Sequence, residues 1–599
     1  MNAASPLHQI GQLSIAEVIG RADALKQAGD LAGAVGLYND WLQVTSSEQR
    51  FVGWFNVGVL LADAGDTAQA RVAYEQALAI MPTLEQARIN LGLLFERCQE
   101  FDAALAQWQS VVDRWQPTTD ANNVCAALNN IGRMQETRKD YVGASAALTQ
   151  SLIIDKRQPD VIQHWLHLRQ KQCAWPVFDE SIGLTKNEML GAASPLAMLA
   201  ATDDPALQWL SAEKFVARKF PVPQGNLSAG GSSKKERIRI AYVSGDLCTH
   251  AVGLLLPDLI EAHDKAKFEV FAFDYSPEDG TAHRQRLRGA FEHFIDIRNL
   301  TDEQAAVLIK RCDIDVVFDM HGLSSGARPG IFALRPAPVQ IAYLGYIGTT
   351  AMPWIDYVIA DDVAITPSME QYFTEQVLRV RSSFLPLPVV TKNELDASAP
   401  PAPKVVKNSD KVVLACFNNV YKITPETLEM WGKTLMAAPN AELWLLDDNP
   451  TATANMRAFL INMGVAESQV IFMPRCSHAE YVENLSRVDL YLDTYPYNAG
   501  STASDVLRAG TPMLTRMGNT FVSRMAGSML TFAGFEELAT TSCEAQASVL
   551  MQLTASPARL RRLGQQLKSS QFEWHTNLEN VVLSIERYVA TLCKKPMKK

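Results

Sequence analysis

Two rhythms of apolar residues divide the chain. From residue 1 to about 170, apolar positions recur at helical spacing with few β-branched runs, which predicts helices joined by short turns. Beyond about residue 236 the pattern changes. Short apolar runs at 238–244, 268–274, 314–319, 339–345 and 357–360 read as buried strands, and a second series follows at 412–417, 443–446, 470–473, 488–492 and 513–515. Helical patterns lie between several of these strands, so each series predicts a doubly wound, Rossmann-like α/β lobe. Ser228–Glu236 (SAGGSSKKE) reads as a linker, and Thr391–Asp410, with Pro400, Pro401 and Pro403, interrupts the two series. The expected organisation is a helical repeat domain over 1–170, a helical connector over 171–235, and two lobes over 236–400 and 401–599.

The helical region repeats. Val57-Gly58 recurs as Leu91-Gly92, while Gly65, Ala70 and Tyr74 recur as Gln99, Ala104 and Trp108, each 34 positions on. An earlier copy carries Gly29-Asp30, Ala34 and Tyr38, and a later one Ile131-Gly132, Ala144 and Leu148. Small residues where helices cross, with a large side chain behind them at this period, are the tetratricopeptide (TPR) pattern, and about four repeats fit. Such stacked helix pairs curve into a groove suited to an extended peptide or a partner protein.

Composition narrows the partners. A net charge of −10 over 599 residues disfavours a nucleic-acid backbone. The basic tail Lys594, Lys595, Lys598 and Lys599 reads as a solvated end. The nine cysteines form no C-x-x-C pair and no metal-ligand spacing, which suggests a reducing compartment and no metal site. Neither a charged-then-apolar leader nor an apolar run of the ~18 residues that span a bilayer is present. The expectation is a cytoplasmic protein without a membrane or nucleic-acid partner; a homo-oligomer stays open.

Candidate chemistry gathers where strands end. After the strand at 488–492, DTYPYNAGSTASDVLRAGTP (Asp493–Pro512) runs through small residues into a helix, with Thr502 and Asp505 spaced as a capping box. Helix-start amides beside Ala499, Gly500 and Ser501 suit a phosphate, although an ordinary turn with a good N-cap also fits. SGDLCTHAVG (Ser244–Gly253) places Asp246 and His250 after the first strand, where His250 can accept a proton or serve as a plain loop histidine. DMHGLSSGAR and LGYIGTT bring glycines with His321 and Thr349 to strand ends. In FNNVYKITPETL, Lys422 precedes a helix opened by Thr424-Pro425; the positive helix end disfavours it there, and a bound anion or simple solvation would relieve the conflict. GxGxxG and GxxxxGK[ST] are absent from both lobes, which weakens dinucleotide and P-loop readings.

IAYVSGDLCTHAVG, FEVFAFDYSPEDGT, GLSSGARPGIFALRPAPVQIAYLGYIGTT, FNNVYKI and LDTYPYNAGSTASDVLRAGTPML follow one another in order. From about Cys173 onward the chain resembles the catalytic part of the O-linked N-acetylglucosamine transferase and SPINDLY family, in its TPR-bearing bacterial form. The resemblance implies a GT-B glycosyltransferase of two lobes, inverting and metal-independent, moving a sugar from a nucleotide donor to protein hydroxyls. It implies that Lys422 contacts the diphosphate, that Asn419 stands near the nucleotide where the family commonly has glutamine, and that Ser501 and Thr502 bind phosphate oxygens. Asp505 would hold the ribose and His250 would lie beside the acceptor. Gly500 stands where the animal enzymes have histidine, Ile347 where a proline is usual, and His478 and Tyr481 where those enzymes have lysine and histidine near the base. The expected donor is UDP-N-acetylglucosamine, with UDP-glucose, GDP-fucose and a catalytically inert TPR scaffold as alternatives. No cofactor is expected beyond the donor substrate, and the acceptor is a protein or peptide held by the TPR groove.

Overall fold

The computed structural model describes residues 10–118, 120–220, 225–230, 235–387 and 411–594. Residues 231–234 of the expected linker, the interruption at 391–410, and Lys595, Lys598 and Lys599 lie outside the described residues.

One compact unit comprises Met1–Leu168 with Glu180–Leu184. Its helices come in pairs: α1 (Ile15–Gln27) with α2 (Leu31–Val44), α3 (Arg50–Asp63) with α4 (Thr67–Ile80), α5 (Glu85–Arg97) with α6 (Phe101–Arg114), and α7 (Ala121–Thr137) with α8 (Tyr141–Ile154). The period seen in the sequence has a direct packing cause. Ala34, Ala70, Ala104 and Ala144 are completely buried, and Tyr38, Tyr74, Trp108 and Leu148 nearly so. A Cβ on Gly58 would stand 2.6 Å from the Tyr74 ring, one on Gly92 2.3 Å from Trp108 Nε1, and one on Gly132 2.6 Å from Leu148. Only glycine lets the large side chain of the second helix press against the first. The second helix of three pairs opens on an aspartate cap, Asp30, Asp66 and Asp140, accepting from the N–H of Gly33, Gln69 and Gly143.

Arg169–Asp179 and Thr185–Lys599 form the second compact unit, so the helices expected as a connector belong with the α/β lobes. The first lobe is a parallel sheet of β1 (Ile238–Ser244), β2 (Phe268–Asp274), β3 (His293–Asp296), β4 (Val316–Asp319), β5 (Val339–Ala342), β6 (Tyr357–Ala360) and β7 (Gln376–Arg379), in the order β3-β2-β1-β4-β5-β6-β7. The second contains β8 (Val412–Cys416), β9 (Ala441–Asp447), β10 (Val470–Pro474), β11 (Leu490–Leu492), β12 (Met513–Arg516) and β13 (Ala539–Thr540), in the order β10-β9-β8-β11-β12-β13. Every strand predicted from apolar runs is present, with ends shifted by a few residues. Three strands that the sequence pattern did not predict, β3, β7 and β13, are short and sit at or near sheet edges, where half-exposed residues give no continuous apolar run.

The lobes are joined by more than the chain that links them. The helix His575–Leu592, from the end of the second lobe, reaches the first, where Glu586 Oε1 lies 3.1 Å from His263 Nδ1 and Asn577 Oδ1 accepts from Leu387 N. Ser528 Oγ donates to the buried Asp361 at 2.7 Å. Asp203, in the helical connector, accepts from Tyr495 Oη, Asn519 N, Thr520 Oγ1 and Ser523 Oγ at 2.6–2.9 Å, which ties the connector to the second lobe.

Candidate active site

In each sheet the strand order reverses once, between β1 and β4 and between β8 and β11. Crevices outside the strand ends at such reversals are where open α/β sheets hold ligands. Of the four loops that leave these strands, those after β1, β4, β8 and β11 carry Asp246 and His250, His321, Asn419 and Lys422, and Gly500 to Thr502 respectively. A cavity of about 400 Å³ has His250, Asn419, Lys422, Gly500, Ser501 and Thr502 in its wall, so residues from both lobes meet there.

His250 is held from both sides. The helix it opens, Ala251–Leu255, packs on the helix Ser501–Arg508 of the other lobe. Its loop is fastened by Leu247 N donating to Ser276 Oγ, Thr249 N donating to Asp279 Oδ2, and the buried Arg284 guanidinium donating to Leu247 O. The ring is half exposed, and its Nδ1 lies 3.3 Å from Asp246 Oδ2.

The helix after β11 starts two residues earlier than the Thr502–Asp505 capping box predicts. Gly500 is the N-cap, has no side chain to offer, and no side chain caps the helix. The predicted cap is therefore absent, because Thr502 is already the second helical residue. Its leading amides stay open at the positive end of the helix, beside the cavity wall that Gly500, Ser501 and Thr502 form.

Asp493 organises the loop between. Its Oδ1 accepts from Asn418 Nδ2, Thr494 N and Ala499 N at 2.8–3.0 Å, and its Oδ2 from Thr515 Oγ1 at 2.6 Å. Burial pushes its carboxyl up to about 6 against these donors and the nearby lysine, so it is an anion at neutral pH. Lys422 is the cation it faces. Nζ donates to Asn498 O at 3.3 Å and stands 3.8 Å over the Tyr497 ring. Burial lowers its pKa to about 8, opposed by the charge of Asp493. The solvated surface lysine considered from sequence is thus ruled out; this ammonium is half buried in the cleft wall. Asp493 opens the stretch that the sequence singles out, but no motif there assigns it a role; the one signal is a polar residue directly after an apolar strand.

Thr502 also lines a second cavity, of about 280 Å³, with Phe417, Leu446, Met473, Arg475, His478 and Tyr481. The Tyr481 hydroxyl is buried there beside the Thr502 side chain. Asp505 Oδ1 lies 3.4 Å from His478 Nε2 and raises the pKa of that imidazole. Thr349 is placed elsewhere. It lies two residues beyond Ile347, which does line the cleft, and turns inward to donate from Oγ1 to the buried Glu375 at 2.7 Å.

Residues 223–386 and 404–592 match glycosyl transferase family 41, which covers more than half of the chain. The chain belongs to that family. It is 29% identical over 444 residues to the probable UDP-N-acetylglucosamine–peptide N-acetylglucosaminyltransferase SEC of Arabidopsis thaliana, covering 69% of this chain and 45% of the relative. Against the UDP-N-acetylglucosamine–peptide N-acetylglucosaminyltransferase of Caenorhabditis elegans the identity is 26% over 463 residues, covering 59% and 40%. A probable enzyme of the same description, SPINDLY of Petunia hybrida, is 27% identical over 342 residues, covering 56% and 36%. The chain thus spans less than half the length of these curated relatives. A solved mutant of the O-GlcNAc transferase of Thermobaculum terrenum superposes with a TM-score of 0.62 at 22% identity over 99% of both chains, and has the same fold of helical repeats and GT-B lobes. No helix among the described residues of this family 41 chain is long and apolar enough to cross a membrane.

Proposed function

We propose that the chain is a protein O-glycosyltransferase that moves N-acetylglucosamine from UDP-N-acetylglucosamine to serine or threonine hydroxyls. The observation that carries this reading is the single cleft in which Lys422 and an uncapped helix end face His250. The acceptor hydroxyl gives its proton to His250 as its oxygen attacks the anomeric carbon. The bond from that carbon to the diphosphate breaks, and its electron pair leaves on the phosphate oxygen. Lys422 and the amides around Ser501 and Thr502 hold the charge that develops there, which is the work a metal ion does in other transferases. One displacement inverts the anomeric centre. His478, Tyr481 and Asp505 hold the nucleoside, and Asn419, in the wall of the cleft, lies near the nucleotide. The acceptor chain leaves past Tyr421, which the cleft shares with a cavity of about 570 Å³ lined by Trp175, Phe178, Pro425 and Tyr495, and the repeats supply a surface for the rest of the acceptor protein.

UDP at 100 times its Kd is expected to stabilise the protein by about 2.7 kcal/mol while GDP does not. Intact-mass analysis with each sugar donor and a set of serine/threonine peptides then reads the transferred sugar. A shift with GDP instead would favour the GDP-fucose alternative, a hexose adduct UDP-glucose, and no binding or turnover of any donor would leave the inert scaffold.

Lys422 also predicts a pH dependence. With its pKa near 8, the ammonium that grips the diphosphate is present at neutral pH and lost as pH rises. The Kd for UDP is expected to rise about tenfold between pH 7 and pH 9. Lys422→Arg, which keeps its charge, should abolish that rise in a calorimetric titration.

A further inference from the structure

Behind His250 stands a second imidazole that the transfer step does not use. His321, in the loop after β4, is 4% exposed, and its Nε2 lies 3.1 Å from Asp246 Oδ2, the oxygen that also faces His250 Nδ1. This Nε2 makes no hydrogen bond among the described residues, so its approach to Asp246 is a close ion-pair contact. Its Nδ1 is 2.6 Å from Ser324 Oγ, and the ring stacks on Tyr275 at 5.6 Å between centroids. Gly245 leaves the room for this approach, since a Cβ there would stand 3.1 Å from Nε2 and 2.5 Å from the Tyr275 ring. The other ionisable groups around His321 are Asp319, whose Oδ1 accepts from His321 N and Gly322 N, and Arg328, which lies over the Tyr275 ring.

The tautomer of His250 is contested. Its Nδ1 lies 3.4 Å from Val252 N, an N–H that requires a bare nitrogen, and 3.3 Å from Asp246 Oδ2, which requires a protonated one. Only a proton on Nδ1 leaves Nε2 bare to accept the hydroxyl proton. A His321 that accepts from the Ser324 hydroxyl at Nδ1 carries its proton on Nε2 and turns that N–H toward Asp246, 3.1 Å away, which attracts the carboxylate to where it faces His250.

We infer that His321 is a positioning residue: it holds Asp246 so that the carboxylate, rather than the backbone of Val252, selects the tautomer of His250. This rests on the transferase reading above. Two replacements separate its nitrogens, because glutamine places an amide near Nε2 and asparagine near Nδ1. His321→Asn is expected to lower kcat about tenfold, part of the 10²- to 10⁴-fold that general-base catalysis supplies, while the Kd for UDP and the KM for donor stay within about twofold. The acid limb of its kcat/KM profile should move to higher pH, since a carboxylate freed from His321 stabilises the His250 imidazolium. His321→Gln should recover most of the rate. On an Asp246→Asn background, His321→Asn should cost no further rate, because its action runs through that carboxylate. Equal losses for the asparagine and glutamine variants, an unmoved acid limb, or a full additional loss on the Asp246→Asn background would overturn the assignment. Wild-type protein that binds UDP but transfers no sugar would instead sink the transferase reading itself.

Discussion

Lys422→Ala is expected to lower the rate of sugar transfer about 10²- to 10³-fold, the cost of removing one fixed group that stabilises developing charge. The lysine's other role in the fold is as the counter-charge of Asp493. Its ammonium makes one long hydrogen bond, to Asn498 O, and rests on the Tyr497 ring. Burial opposes its charge, but its removal also leaves the buried Asp493 carboxylate without its counter-charge, so the melting temperature should fall modestly while the fold is kept. Activity and stability therefore part company. The affinity for UDP should fall too, and its pH dependence above neutrality should vanish with the ammonium. A variant that transfers sugar at the wild-type rate would remove Lys422 from the mechanism.

Asp493→Ala should act on stability as much as on activity. The carboxylate satisfies two buried backbone amides, of Thr494 and Ala499, together with Asn418 and Thr515, and it is the counter-charge of Lys422. Removing one partner of a buried charge pair costs about 3–5 kcal/mol, and that is the loss expected in urea unfolding at constant slope. The loop that ends in the uncapped helix would lose its anchor, so UDP binding should weaken with it. Asp493→Asn separates the two roles. The amide oxygen keeps an acceptor for the backbone, but the lost negative charge lets burial lower Lys422 further, and the pH at which UDP affinity declines should move below 8.

Most of the fold was legible in one dimension. Completely buried strands such as β4 and β8, and the buried stretch of β1 from Ile240 on, must be largely apolar on both faces, and continuous runs of that kind stand out in sequence. The edge strands β3 and β7 do not, because half of each faces solvent. The site divides in the same manner. Lys422, Gly500, Ser501 and Thr502 were recognisable from motif and resemblance, and the folded chain brings them to one wall of one cleft with His250. Thr349 carried the same kind of signal and points to Glu375 instead, since a glycine-rich turn does not specify which of its residues faces outward.

By itself the sequence determined the repeat and its period, because a glycine facing an aromatic 16 residues later, as with Gly58 against Tyr74 and Gly92 against Trp108, is a local packing demand repeated along the chain. It also determined the two strand series and the small-residue loops at their ends. Only the tertiary structure decided that Asp493 comes near enough to Lys422 for their charges to act on each other, that the helix at Ser501 is left uncapped, and that one oxygen of Asp246 stands near both His250 and His321. Those relations join segments 70 or more residues apart, or depend on which way a loop residue turns. Hydrophobic periodicity encodes neither; both are settled when the sheets stack and their strand ends converge.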